Sequence, residues 1–136
     1  MKRLGSWEEF QVVMALGQAC HSNWFVLHQV SLSTLSRQTN PTTALLSVCR
    51  GLDQEQKLGA LVPKRWAKRA VTRNSVKRQI FSVVSEYQAQ LNLEQAMVIR
   101  LRREIKKSEF KSARSSELLK KMKSELHELL DKALTT

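Results

Sequence analysis

The chain has 136 residues, of which 42% are hydrophobic, and 23 Lys and Arg against 12 Asp and Glu give it a formal net charge of +11. This is the length of one domain with enough apolar residues for a core, which excludes wholesale disorder. So large an excess of positive charge indicates a polyanionic partner, and the sequence has no apolar run long enough for a membrane span. We therefore expect a single domain over residues 1–136 that binds nucleic acid and no membrane.

In the N-terminal half, the basic start is followed by Glu8 and Glu9 rather than by an apolar segment, so we expect no secretory signal and a cytoplasmic protein. Residues 8–16 have the apolar spacing of a short amphipathic helix that ends at Gly17. Residues 24–30 are rich in aromatic and β-branched side chains and predict a strand. The segment at about 31–56 is rich in Ser, Thr and Gln, and predicts a long flexible loop, with a short ordered piece at 44–48 as an open alternative.

In the C-terminal half, residues 57–62 predict a second strand closed by Pro63, and residues 96–101 predict another. Between them, apolar residues from Val76 to Leu91 recur on one helical face and predict a helix over about 68–91. A last helix is predicted to begin near Ser115 or Ser116, with an apolar stripe formed by Leu118, Met122, Leu126, Leu129, Leu130 and Ala133. The expected fold is an α/β (α+β) sandwich, a small mixed sheet of about four strands with three helices in the order α-β-β-β-α-β-α.

Basic residues are concentrated in one segment, since residues 57–85 contain eight Lys or Arg and no Asp or Glu. Arg69, Arg73 and Lys77 are four residues apart and would align along the predicted helix, with Asn74 and Arg78 beside them. Like charges at this spacing, placed near a helix N-terminus, destabilise an isolated helix. Bound phosphate groups would reverse both effects, whereas the alternative is a solvated basic face.

These residues carry a resemblance to a known family. Two basic residues, a spacer, Arg-Ala, Arg-Asn and then Lys-Arg form a pattern that resembles the signature of the bacterial ribonuclease P protein. The resemblance extends to the strands at 24–28 and 58–62 and to the N-terminal helix. Met14 and His28 stand where the family often has aromatic residues, and Ser75 replaces a usual arginine. The matching positions are Lys64, Arg65, Arg69, Ala70, Arg73, Asn74, Lys77 and Arg78.

The resemblance implies a protein subunit that binds a catalytic RNA and the 5′ leader of precursor tRNA, while the RNA carries out the hydrolysis with magnesium bound mainly through the RNA. It also implies a left-handed βαβ crossover. No catalytic or metal-binding residue is expected in the protein, whose three histidines are scattered along the sequence. The expected RNA-binding residues are Lys64, Arg65, Lys68, Arg69, Arg73, Asn74, Lys77 and Arg78. The expected leader-binding cleft comprises Phe10, Met14, His28, Lys64 and Arg65.

The sequence leaves alternatives for the roles of two residues and for the class of protein. Phe10 could instead be a core residue of its helix, and His28 a packed or merely exposed strand residue. A DNA-binding regulator would need a helix-turn-helix pair, and the strands that flank the basic helix argue against one, so we expect no DNA partner. A ribosomal or chaperone-like RNA-binding protein without a role in cleavage would share the composition, and only the ordered signature argues against it.

Overall fold

The computed structural model describes residues 2–4, 7–31, 57–90, 95–103 and 116–134. The predicted loop at 31–56, apart from Ser31, and the possible ordered piece at 44–48 lie outside these residues. A short 3₁₀ helix, Gln88–Gln90, follows the second α-helix. The remaining elements, in chain order, are β1 (Lys2–Arg3), α1 (Trp7–Leu16), β2 (Gln18–His21), β3 (Phe25–Ser31), β4 (Lys57–Leu61), α2 (Ala70–Tyr87), β5 (Gln95–Leu101) and α3 (Ser116–Leu134).

The strands form one mixed sheet in the order β1-β4-β5-β3-β2. β4 pairs in parallel with both β1 and β5, whereas β3 pairs antiparallel with both β5 and β2. This confirms the predicted small mixed sheet with three helices, to which the two-residue strand β1 adds a fifth strand. Helix α2 connects the parallel neighbours β4 and β5, and the left-handedness of this crossover stays a prediction.

Alternate residues of each strand face opposite layers of helices, as the two-residue period of a strand requires. On β3, Phe25 and Leu27 join the main core beneath α2 and α3. Val30, on the other face, joins Val13 of α1 and Val98 of β5 in a smaller cluster. Within the described residues, the sheet thus separates a layer of two helices, α2 and α3, from a layer of one, α1.

Helices α2 and α3 pack together through apolar side chains and one polar network. The α3 stripe is confirmed for Met122, Leu126, Leu129 and Leu130, all fully buried, while the side chain of Leu118 lies outside the described part. The hydroxyl of Tyr87 donates to Asp131 Oδ1 at 2.7 Å and lies 3.1 Å from His127 Nδ1. His127 Nε2 in turn lies 3.1 Å from Glu86 Oε2. These contacts fix the C-terminal end of α2 against α3.

The predicted boundaries of the long helix, 68–91, are wrong at both ends. Arg69 is the N-cap residue, with an extended backbone (φ −86°, ψ 134°), so that Lys68 and Arg69 precede the helix. No side chain caps the first turn, and the regular helix gives way to a 3₁₀ turn after Tyr87. The predicted four-residue alignment therefore holds within the helix for Arg73 with Lys77 and for Asn74 with Arg78, but not for Arg69.

Candidate RNA-binding surface

The turn between β4 and α2 presents two basic side chains on an anchored backbone. The backbone N–H groups of Trp66 and Ala67 donate to the Pro63 carbonyl at 3.0 and 3.1 Å. Ala67 is buried, and Trp66 packs partly against the main core. Lys64 is exposed, and the exposed guanidinium of Arg65 lies 4.9 Å from the centre of the Trp66 ring. The turn is therefore rigid where it packs and charged where it meets solvent.

Arg73 connects the first turn of α2 to this segment. Its Nη1 donates hydrogen bonds to the carbonyl of Ala67 at 3.0 Å and to that of Lys68 at 2.9 Å. Its backbone N–H donates to the carbonyl of Arg69 and so starts the helix. Arg73 thus has a structural role in ordering the approach to α2, beyond the RNA-binding role predicted for it.

The predicted RNA-binding residues come together at the start of α2. Thr72, Ser75 and Val76 turn inward and are buried, which leaves the opposite side of the helix to polar side chains. The first backbone N–H groups of the helix have no side-chain cap and lie among cations. An anion placed there would meet both the free N–H groups and the basic side chains. The exposed members are Lys64, Arg65, Lys68, Arg69, Asn74 and Arg78, and the half-buried ones are Arg73 and Lys77.

On the other face of the sheet, Phe10 of α1 lies directly over Gly59 of β4. A Cβ atom at Gly59 would overlap the Phe10 ring, so only glycine allows this close approach. Phe10 and Met14 are half-buried and pack against the smaller cluster, so that each keeps part of its side chain accessible. Trp7, one helical turn before Phe10, is 53% exposed, and its ring centroid lies 6.5 Å from that of Phe10.

His28 lies on the same sheet face but is only 8% exposed. Its Nε2 accepts a hydrogen bond from Nε of Arg100 at 3.1 Å. Burial, together with the nearby charges of Arg100 and His21, lowers the pKa of His28 from 6.5. A ring this buried offers little surface for stacking, which favours the packed alternative for His28 and draws attention to Arg100.

The prediction from the sequence did not include two residues that lie on this surface, Trp7 and Arg100. Trp7 could have been noticed as an aromatic residue one turn from Phe10. Arg100 gave no signal of its own, because it lies among many basic residues and meets His28 only through the pairing of β3 with β5. In the described part of the chain, the face around α1 thus combines accessible rings with two recessed cations, Arg100 and Lys57.

The described residues offer no set of ligands that fits a magnesium ion. They contain no group of three or more His, Cys, Asp or Glu side chains close enough to hold a metal. The carbonyls of Ala67 and Lys68, which could coordinate a hard cation, accept hydrogen bonds from Arg73. Nor does this part of the chain contain a helix long and apolar enough to cross a bilayer.

The chain was compared with known proteins. Its sequence matches the Ribonuclease P family over residues 1–132. Among solved structures, the fold is similar to the RNase P protein of Staphylococcus aureus, with a TM-score of 0.67, 16% identity, and coverage of 98% of this chain and 95% of that one. It is also similar to the RNase P protein of Thermotoga maritima, with a TM-score of 0.61, 17% identity and 97% of each chain covered. A search of curated proteins finds no match. Because the family match spans nearly the whole sequence and these structures share the fold, the chain belongs to the ribonuclease P protein family.

Proposed function

We propose that this chain is the protein subunit of the ribonuclease P ribonucleoprotein, and that it assists endonucleolytic removal of the 5′ leader from precursor tRNA. The observation that carries the proposal is the acid-free basic cluster, which has the order of the family signature and is built around the uncapped start of α2. The RNA subunit carries out the hydrolysis, with magnesium bound mainly by RNA. The protein contributes binding.

The basic turn and α2 contact the catalytic RNA. Each phosphate that Lys or Arg neutralises releases condensed counterions, so the protein replaces part of the metal that the RNAs would otherwise need to approach each other. This predicts that the protein matters most at low magnesium concentration. Arg78 and Asn74, exposed one helical turn apart, are placed for direct contact, while Arg73 holds the turn that presents Lys64 and Arg65.

The α1 face of the sheet binds the single-stranded leader. Phe10 supplies an accessible ring for stacking on a base, and Met14 lies beside it on the same helix. Stacking on an aromatic ring is insensitive to base identity, which suits a protein that must accept many leader sequences. Lys64 and Arg65 follow β4, the strand that carries Gly59 beneath Phe10, and supply charge for the phosphates at the edge of the cleft.

Reconstitution tests the proposal. Purified protein is combined with a bacterial ribonuclease P RNA, and 5′-leader cleavage of a precursor tRNA is measured at low magnesium. We expect wild type to stimulate cleavage and Lys77→Ala/Arg78→Ala to do so poorly. The matched control, Lys120→Ala/Lys123→Ala, removes two exposed charges from α3 and should behave as wild type. Wild-type protein that binds the RNA without stimulating cleavage would instead indicate a general RNA-binding protein.

A further inference from the structure

The α1 face of the sheet carries a cation for which the described part of the chain provides no anion. On this face, one row of neighbouring residues crosses the sheet from β4 through β5 and β3 to β2. In that order it consists of Leu61, Arg100, Val26 and His21. Arg100 is half-buried in the middle of that row. At the positions of these four strands that face α1, the sheet carries no acidic side chain.

The contacts of Arg100 use only part of its guanidinium. Nε donates to His28 Nε2 at 3.1 Å, while Nη1 and Nη2 make no hydrogen bond or ion pair with the residues that the structure describes. Removing a cation from water is unfavourable unless an anion or several acceptors compensate it. His28 supplies one neutral acceptor, so the two terminal NH₂ groups are left for a ligand.

His28 can orient Arg100, but as a neutral ring it cannot itself pair with an anion. Because Nε2 accepts from Arg100, the imidazole is neutral and carries its proton on Nδ1. Nδ1 is buried and has no hydrogen-bond partner among the described residues. The ring is buried, and its hydrogen bond fixes the Nε edge of the guanidinium, so that Nη1 and Nη2 on the opposite edge keep their donors.

We propose that Arg100 binds a phosphodiester group of the unpaired leader strand through Nη1 and Nη2, and that His28 is the residue that positions it. The inference rests on the proposed function. The leader fits this position because Arg100 lies on the same face of the sheet as Phe10. The main core beneath α2 fills the other face of the sheet. A half-recessed guanidinium beside α1 is reached more easily by a single strand than by a rigid duplex. The paired donors match two phosphate oxygens.

The test uses the reconstituted ribonucleoprotein and measures the affinity for precursor tRNA and for mature tRNA over a range of salt concentrations. We expect Arg100→Ala to weaken precursor binding by about tenfold, which is typical of a lost charge-assisted contact, and to leave mature tRNA binding unchanged. The slope of log affinity against log salt should fall by about 0.7, the value for one phosphate of a single strand. Arg100→Gln, which keeps a donor toward His28 without the charge, should give the same result if Arg100→Ala does not fold. Lys120→Ala on α3 is the matched loss of one charge.

The role of His28 in positioning Arg100 is tested separately, by precursor binding of His28 variants. His28→Ala should weaken precursor binding, and His28→Gln, which can accept from Arg100, should restore it. In an Arg100→Ala background, His28→Ala should have no further effect on binding, since the two residues act as one unit. Effects that simply add would contradict the positioning role.

The two levels of the proposal fail in different ways. Equal loss of affinity for precursor and mature tRNA in Arg100→Ala, an unchanged salt slope, or the same loss in Lys120→Ala would overturn the inference and leave the subunit role intact. Wild-type protein that never stimulates cleavage would contradict the proposed function itself.

Discussion

Arg73 and Lys68 are joined by a hydrogen bond of 2.9 Å from the arginine Nη1 to the lysine carbonyl, and the same Nη1 reaches the Ala67 carbonyl at 3.0 Å. Hydrogen bonds from a charged group contribute about 1.5–3 kcal/mol, less where water has access. We expect Arg73→Ala to lower the free energy of unfolding by about 1 kcal/mol or more, in addition to weakening RNA binding. Urea unfolding and RNA titration measure the two effects separately.

Lys77 provides the matched control for Arg73. It lies one helical turn further along α2, is also half-buried, and has no hydrogen bond or ion pair among the described residues. Lys77→Ala should weaken RNA binding and leave the free energy of unfolding nearly unchanged. If the two variants lowered stability equally, the structural role of Arg73 would be refuted.

The contact between Phe10 and Gly59 predicts how the leader cleft responds to substitution. Phe10→Leu preserves an apolar side chain but removes the ring, and should cost about 1–3 kcal/mol of precursor affinity, the range measured for stacking of one base. Gly59→Val should displace the ring and give a similar loss. Mature tRNA, which has no leader, should bind both variants as it binds wild type. An equal loss with mature tRNA would place Phe10 outside the leader site.

Tyr87 gives a direct probe of the α2–α3 contact because it is the only tyrosine of the chain. Burial raises its pKa to about 12, with further contributions from the hydrogen bond to Asp131 and from the negative charges of Asp131 and Glu86. The unfolded chain ionises nearer 10.0, so it loses the proton first, and stability should fall as the pH rises from about 10 to about 12. Ultraviolet titration of tyrosinate should show the high pKa in wild type and a lower one in Asp131→Asn. Tyr87→Phe should lack the alkaline loss of stability.

For His28 we expect stability to be lost at acid pH rather than at alkaline pH. Burial lowers its pKa from 6.5, with Arg100 and His21 adding to the effect, so the unfolded chain takes up the proton before the folded chain does. The stability that comes from a neutral His28 is therefore complete above pH 6.5 and is lost as the pH falls below it. Urea unfolding of wild type and His28→Gln across this range measures the difference. Parallel stability curves for the two proteins would show that His28 is not held neutral.

Most elements of the fold could be predicted because their burial follows a regular period. The three longer inner strands and the last helix carry apolar runs or stripes of the expected spacing. The predicted order has three strands before the long helix, but the residues of β2 were not identified, because Gln18–His21 is largely exposed and has no alternation of apolar residues. It is a strand only through its pairing with β3. Strand β1 has two residues, too few for any period to be detected.

The candidate site likewise has residues that could be predicted from the sequence and residues that could not. The basic signature is continuous in sequence, so its grouping at the start of α2 could be predicted. Arg100 and His28 are 72 positions apart, and only the register of two central strands brings them together. The N-cap position of Arg69 was equally hidden, since no Ser, Thr, Asp or Asn marks the helix start.

The central position of β5 has a consequence for synthesis on the ribosome. β2 and β3 can pair early as a hairpin, and β4 can pair with β1 once it has been synthesised. In the described sheet, β5 is the strand that joins these two halves. Until residue 101 has left the exit tunnel, the inner edges of β3 and β4 remain unpaired and open to other strands. We expect the nascent chain to depend most on chaperones, or on early contact with its RNA, during this interval.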